Sequence, residues 1–178
     1  MKKNKVTIAI LGYICIFLIA ALLLVPATQA GEVIRKMGVT SYITKAEVVP
    51  VPDVEKHIVG VYDRRGVAVF ENGETAAYHT SGTFDYTKGQ GPFSGYTQLT
   101  YADGSTTIVK YQGASTVAAG EKLASIKGTG EYIKGTGGFE GIKGKVSFSG
   151  KYVTPYTKDE TKGDAYYDVT MTYTLPKK

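Results

Sequence analysis

Two stretches near the end of the chain alternate strictly between apolar or small side chains and polar ones. Residues 142–152 place Ile142, Gly144, Val146, Phe148, Gly150 and Tyr152 on one face, with lysines and serines on the other. Residues 165–175 repeat the pattern, with Ala165, Tyr167, Val169, Met171, Tyr173 and Leu175 on one face. Such alternation predicts two β-strands, each buried on one face and exposed to water on the other.

Shorter runs of the same kind fill the rest of the chain. We predict strands at residues 36–49, 57–62, 66–71, 75–86, 93–101 and 106–112, with a turn through residues 63–66. Asn72-Gly73 and Asp103-Gly104 are strong hairpin signals, and residues 115–122 have room for one helical turn. Because no long helix is predicted, the fold class is an all-β, antiparallel, up-and-down barrel of eight or nine strands. Closure would remove exposed sheet edges.

The first 30 residues have the layout of an export signal. Lys2, Lys3 and Lys5 precede an uncharged apolar run, and Pro26 with the small, polar residues 27–30 follows it. This arrangement predicts a signal peptide cleaved after Ala30 and a periplasmic or extracellular protein. The apolar run is also long enough to cross a bilayer, so an uncleaved N-terminal anchor helix is the alternative, and the one predicted contact with a membrane. Residues 31–178 then form a single barrel domain.

Charge and cysteine content exclude several functions. The formal net charge is +5, but three lysines of the N-terminal segment contribute to it without any acidic residue, which leaves +2 for residues 31–178. No basic cluster suits a nucleic acid, so none is predicted as a partner. The single cysteine, Cys15, lies in the apolar run, and this excludes disulfides and thiolate chemistry from the barrel. His57 and His79 are too few ligands for a metal site, and no metal or cofactor is predicted.

A glycine-rich stretch occurs twice. Residues 82–95 and 128–141 match in Gly, Thr, Tyr, Lys, Gly, Gly, Phe and Gly at a constant offset of 46 residues. Each copy holds a tyrosine near a strand end, a glycine turn, and a phenylalanine placed to fold back under the next strand. Glycine permits the positive φ values and the close approaches that tight corners need. The repeat therefore predicts two equivalent corners of the barrel.

The second copy also carries a family resemblance. Residues 135–144, Gly-Thr-Gly-Gly-Phe-Glu-Gly-Ile-Lys-Gly, resemble the glycine signature of the allene oxide cyclase and dirigent barrel superfamily. The resemblance is specific over residues 134–148. Over the wider range of residues 59–175 it rests on the spacing of the predicted strands. It implies an eight-stranded antiparallel barrel and a homotrimer. The matching residues form the turn and the closure, so the resemblance assigns no catalytic residue.

The candidate site residues are few. Asp85 and Glu131 occupy equivalent repeat positions beside Tyr86 and Tyr132, and a carboxylate next to a phenol at a barrel mouth is a candidate acid and base pair. Glu47, near the end of the first strand, is a third candidate carboxylate. Tyr86 and Tyr132 are also candidates for ligand binding, although filling the lumen is the commoner role of such side chains.

Three classes of function remain. The leading hypothesis is a non-catalytic exported barrel that binds a small apolar or aromatic molecule or a partner protein. The alternative is an isomerase or cyclase of the allene oxide cyclase type, in which an apolar lumen folds a reactive substrate. A small outer-membrane barrel is the third, although Gly144 and Gly150 on the apolar face suit contact with lipid poorly.

Overall fold

The computed structural model describes residues 31–154 and 163–177, which form one closed β-barrel. Its eight strands are β1 (Val33–Pro50), β2 (His57–Phe70), β3 (Thr75–Thr87), β4 (Gly91–Tyr101), β5 (Thr106–Thr116), β6 (Ser125–Gly135), β7 (Lys143–Tyr152) and β8 (Ala165–Thr174). Each strand pairs antiparallel with the next, and β8 pairs with β1 to close the barrel. The predicted antiparallel barrel is confirmed, with eight strands. The predicted signal or anchor in residues 1–30 lies outside the described residues.

The alternation predicted for the last two strands is confirmed, and it places the core inside the barrel. Along β8 every second residue from Ala165 to Tyr173 is buried, and along β7 Val146 is buried between exposed lysine and serine residues. The largest buried side chains of the other strands also point inward. In the described part of the chain no helix is long and apolar enough to span a membrane.

One strand replaces the two that were predicted at residues 57–62 and 66–71. Strand β2 runs without a break through residues 63–66, which were predicted as a turn. Gly66 is extended and packs against β1, where an added Cβ would lie 1.9 Å from the carbonyl oxygen of Thr40. This glycine therefore allows the close approach of two strands and makes no turn. Asn72-Gly73 and Asp103-Gly104 do form turns, with Gly73 and Gly104 at positive φ.

The two copies of the glycine repeat are connections of different kinds. The first joins β3 to β4 by a tight turn in which Lys88 and Gly89 both have positive φ. The second joins β6 to β7 through a 3-10 turn at Gly137–Phe139. Because neighbouring strands are antiparallel and three strands separate the two connections, they lie at opposite ends of the barrel. The prediction of two equivalent corners is wrong, since similar residues there close loops of different length.

Two irregularities interrupt the pairing. The register between β1 and β2 shifts between Ile43 and Lys45, and that between β5 and β6 shifts near Ile108 and Val109. An extra residue in one strand bends the sheet and increases its twist, as barrel closure requires. The helical turn considered for residues 115–122 is absent, because β5 continues to Thr116 and the described residues that follow form only turns and bends.

Candidate functional site

The lumen of the barrel contains a cavity of about 90 Å³. Its walls are aromatic and aliphatic side chains from all eight strands, including Tyr86, Tyr132, Val146 and Phe148. A cavity of ~150 Å³ holds benzene, whereas pockets for drug-sized ligands usually exceed ~300 Å³. The protein's own side chains therefore fill most of the lumen, and the remaining space suits a compact group.

Glycines in the barrel wall explain why so many rings fit inside. An added Cβ on Gly128 would lie 2.4 Å from Cζ of Phe148, whose ring comes from the neighbouring strand. At Gly82 an added Cβ would lie 2.7 Å from the Tyr111 hydroxyl oxygen and 2.8 Å from that of Tyr62. The Phe148 ring thus lies over the bare backbone of the adjacent strand β6, and the Tyr62 and Tyr111 hydroxyls lie over the bare backbone of β3. Several strand glycines act as sockets for lumenal aromatic rings.

Arg64 is the buried charged side chain of this lumen, with 6% of its surface exposed. Its Nε donates to the Ser41 hydroxyl at 3.1 Å, and its Nη2 donates to the carbonyl oxygens of Gly163 at 2.5 Å and Ser41 at 3.3 Å. The guanidinium carbon lies 5.7 Å from the ring centroid of Tyr152. No carboxylate in residues 31–154 or 163–177 forms an ion pair with Arg64.

Hydroxyl groups extend from Arg64 across the lumen. Ser41 and Tyr167 hydroxyls lie 2.7 Å apart, and Tyr167 donates to the Tyr78 hydroxyl at 3.0 Å. Because Tyr167 uses its proton on Tyr78, Ser41 must donate to Tyr167. The hydrogen bonds therefore run in one direction, from the guanidinium through Ser41 and Tyr167 to Tyr78. This chain supports the cation with oriented dipoles and supplies no negative charge.

The phenols of Tyr62, Tyr86 and Tyr167 in the lumen stay neutral at physiological pH. Burial is the main reason that the pKa values of Tyr62, Tyr86 and Tyr167 lie far above the usual value for tyrosine. Arg64 acts in the opposite direction on the pKa of Tyr86 and of Tyr167, but burial dominates. Phenolate formation by these three tyrosines therefore does not compensate the guanidinium charge, and Arg64 is the one charged side chain among the described residues that line the cavity.

The structure separates the candidate residues that were predicted as pairs. Tyr86 and Tyr132 are buried and line the cavity, as expected for lumenal side chains. Asp85 and Glu131 are exposed on the outer face, because neighbouring residues of a strand point to opposite sides. Asp85 contacts Nε2 of His57 at 2.7 Å.

Glu47, the third candidate carboxylate, also lies on the outer surface. Its side chain is exposed and pairs with Lys45 at 2.8 Å. None of the three carboxylates lines the cavity.

Arg64 was not among the predicted site residues, because residues 63–66 were predicted as a turn. The signal that could have identified it is the alternation of β2, in which Tyr62, Arg64, Ala68 and Phe70 share one face. A cationic residue in the middle of an apolar face indicates either that its side chain is buried in the core or that the strand is interrupted there. The turn-like composition around Gly66 favoured the wrong choice.

Two histidines meet carboxylates on the outer surface. His57 lies between Asp53 and Asp85, at 2.6 and 2.7 Å, and both carboxylates raise the pKa of its imidazole. His79 contacts Asp63 at 2.6 Å. Within the described ranges no group of three or more His, Cys, Asp or Glu side chains is arranged to hold a metal ion.

Comparison with known proteins gives similarities of fold alone. No protein-family model matches the sequence, and no curated protein matches it significantly. Two dirigent proteins have a similar fold. They are the pterocarpan synthase dirigent proteins GePTS1 and PsPTS1, each 13% identical to this chain, with TM-scores of 0.47 and 0.48. The matches cover 86% and 85% of this chain and 94% and 99% of the two structures. The eight-stranded antiparallel barrel that the glycine-motif resemblance implies is the one that the strand pairing shows.

Proposed function

We propose that this protein binds a small apolar or aromatic molecule in the barrel lumen and does not transform it. The observation that carries the proposal is the cavity of about 90 Å³, which is lined by rings and aliphatic groups and contains a few polar donors. An apolar cavity with a small number of placed polar groups is the usual form of a small-molecule site.

The chemistry of the lining favours binding over catalysis. The described side chains around the cavity include no carboxylate and no histidine, and burial keeps the phenols of Tyr62 and Tyr86 neutral. General acid and base catalysis needs a group that exchanges its proton near the working pH. Hydrogen-bond donors, in contrast, are present and suit recognition of a polar substituent.

The size of the cavity limits the ligand. A cavity that holds one aromatic ring, at ~150 Å³, is clearly larger than the about 90 Å³ of the lumen, so a wall side chain has to shift on binding. Tyr152, on β7, is only partly buried, so it is a side chain that can shift. We therefore expect a ligand with one ring or a compact aliphatic body.

NMR titration of the purified protein with benzyl alcohol, benzamide and benzoate tests this function. We expect at least one of them to shift resonances of lumenal groups such as the Met171 methyl. Val146→Phe directs a ring into the cavity and should remove the response. Ser147→Phe places the same ring on the outer face, one residue along β7, and should leave the response unchanged.

Two results would contradict lumenal binding. One is that none of the three probes shifts a lumenal resonance at millimolar concentration. The other is that Val146→Phe and Ser147→Phe respond to the probes in the same way, which would place the binding site outside the barrel.

We further propose that the barrel works outside the cytoplasm. The support is the sequence pattern of the first 30 residues, with lysines before an apolar run and small residues after it. N-terminal sequencing of the protein from its native host should give a start at Gly31. A start at Met1 would instead favour a barrel anchored by its N-terminal segment.

A further inference from the structure

Arg64 is the only charged side chain among the described residues that line the lumenal cavity. It is more than nine-tenths buried, and no described carboxylate pairs with it. A buried charge without a counter-charge is costly, and proteins normally pair such groups. A lone cation in an apolar ligand cavity therefore calls for a partner that the described barrel does not provide.

The hydrogen bonds of Arg64 show where that partner would bind. The guanidinium has five N–H donors. Ser41 and Gly163 accept from Nε and Nη2, whereas Nη1 donates to no described residue. The two N–H groups of Nη1 thus have no acceptor within residues 31–154 and 163–177, while backbone and side-chain acceptors hold the rest of the guanidinium in place. A guanidinium held in this way can donate hydrogen bonds to one further acceptor.

The surroundings indicate the charge of the ligand. The neutral tyrosines around Arg64 donate hydrogen bonds but do not neutralise it, since burial keeps the phenols of Tyr86 and Tyr167 protonated. Tyr152 presents its ring to the guanidinium, and this contact leaves the positive charge uncompensated. An anion would complete the site electrostatically.

We propose that the lumenal ligand is a monocarboxylate, with its apolar body in the cavity and its carboxylate on Nη1 of Arg64. This inference rests on the proposed function and specifies the ligand class. A carboxylate suits a single guanidinium in geometry and in charge. A phosphate monoester carries up to two charges and strong acceptors on three oxygens, more than one arginine in an apolar wall would satisfy.

The test compares benzoate with benzamide, which has nearly the same shape and no charge. Both are titrated by calorimetry against the purified protein and against Arg64→Gln and Arg65→Gln. Arg65 is the matched control, since it follows Arg64 in β2 and is exposed on the outer face. Arg64→Lys, which keeps the charge with fewer donors, provides a second lumenal variant if Arg64→Gln fails to fold by circular dichroism.

We expect benzoate to bind the wild type and Arg65→Gln at least about 10-fold more tightly than benzamide does, because charge-assisted hydrogen bonds are the strong ones. Arg64→Gln should lose this preference, and Arg64→Lys should reduce it. Equal binding of benzoate and benzamide, with no effect of Arg64→Gln, would overturn the carboxylate assignment and leave lumenal binding intact. Binding of neither probe to the wild type would overturn lumenal binding together with the carboxylate assignment.

Discussion

Replacing Gly128 by alanine tests whether strand glycines are sockets for lumenal rings. An added Cβ would lie 2.3 Å from the carbonyl oxygen of Gln112 and 2.4 Å from Cζ of Phe148. Both distances are far below van der Waals contact, and the nearer atom belongs to the backbone, which cannot rotate away. Overpacking of this kind costs about 1–3 kcal/mol. Gly128→Ala should therefore destabilise the barrel markedly.

Gly38→Ala is the matched control. Gly38 is also an extended strand glycine, but an added Cβ would meet only the exposed side chain of Tyr166, at 3.1 Å from its hydroxyl oxygen. That ring end can move into water. In an extended strand, alanine also reduces the entropy of the unfolded chain, a gain of about 0.4–1 kcal/mol. Gly38→Ala should leave stability unchanged or slightly higher.

Thermal unfolding followed by circular dichroism measures the difference. The two substitutions should differ by about 1–4 kcal/mol. At ~2–4 °C per kcal/mol for a chain of this size, the Tm values should differ by about 2–16 °C. Equal Tm values for Gly128→Ala and Gly38→Ala would refute the reasoning. They would mean that the ring of Phe148 moves aside freely and that the lumen is loosely packed around it.

Three further predictions concern hydrogen bonds and titration. Ser41→Ala removes the acceptor of Arg64 Nε and the partner of Tyr167, so urea unfolding should show a loss of about 1–3 kcal/mol. Ser149→Ala, on the exposed face of β7, should change stability by less than about 0.5 kcal/mol. Asp85→Asn should lower the pKa of His57 in an NMR titration. Because the folded-state pKa of His57 is raised, its stabilising contribution is complete below the unfolded value and is lost as the pH rises through the folded value. The destabilisation by Asp85→Asn should therefore be larger at pH 6 than at pH 9, and an equal effect would contradict the ion pair. Burial raises the pKa of Tyr101 to about 12 and also raises the pKa values of Tyr62, Tyr86 and Tyr132. Stability should therefore fall as the pH rises above ~10, and the absorbance of these phenolates should appear as the protein unfolds.

Much of the fold followed from local sequence patterns. The alternation in residues 142–152 and 165–175 identified β7 and β8 and their buried faces, because the side-chain period of a strand depends only on the strand itself. Asn72-Gly73 and Asp103-Gly104 identified two turns for the same reason, since a hairpin turn requires residues that tolerate positive φ. The error at residues 63–66 arose because glycine also serves close strand packing, as Gly66 does, and composition does not distinguish these uses.

The candidate site was less accessible from the sequence. Pairing Asp85 with Tyr86, and Glu131 with Tyr132, treated neighbours in the chain as neighbours in space. Strand geometry sends their side chains to opposite faces, so the carboxylates lie outside and the phenols inside. The residues that do meet in the lumen come from distant parts of the chain.

The sequence by itself determined that the chain forms antiparallel strands with one buried face, because that information is repeated every second residue. Only the tertiary structure decided that Arg64 lies in the lumen with the hydroxyl of Ser41, 23 residues away, and the carbonyl of Gly163, 99 residues away. Those contacts depend on strand register and on the pairing of β1 with β8. Register and closure are properties of the whole barrel. A shift of one residue in the pairing of β1 with β2 or with β8 would bring other side chains to the guanidinium.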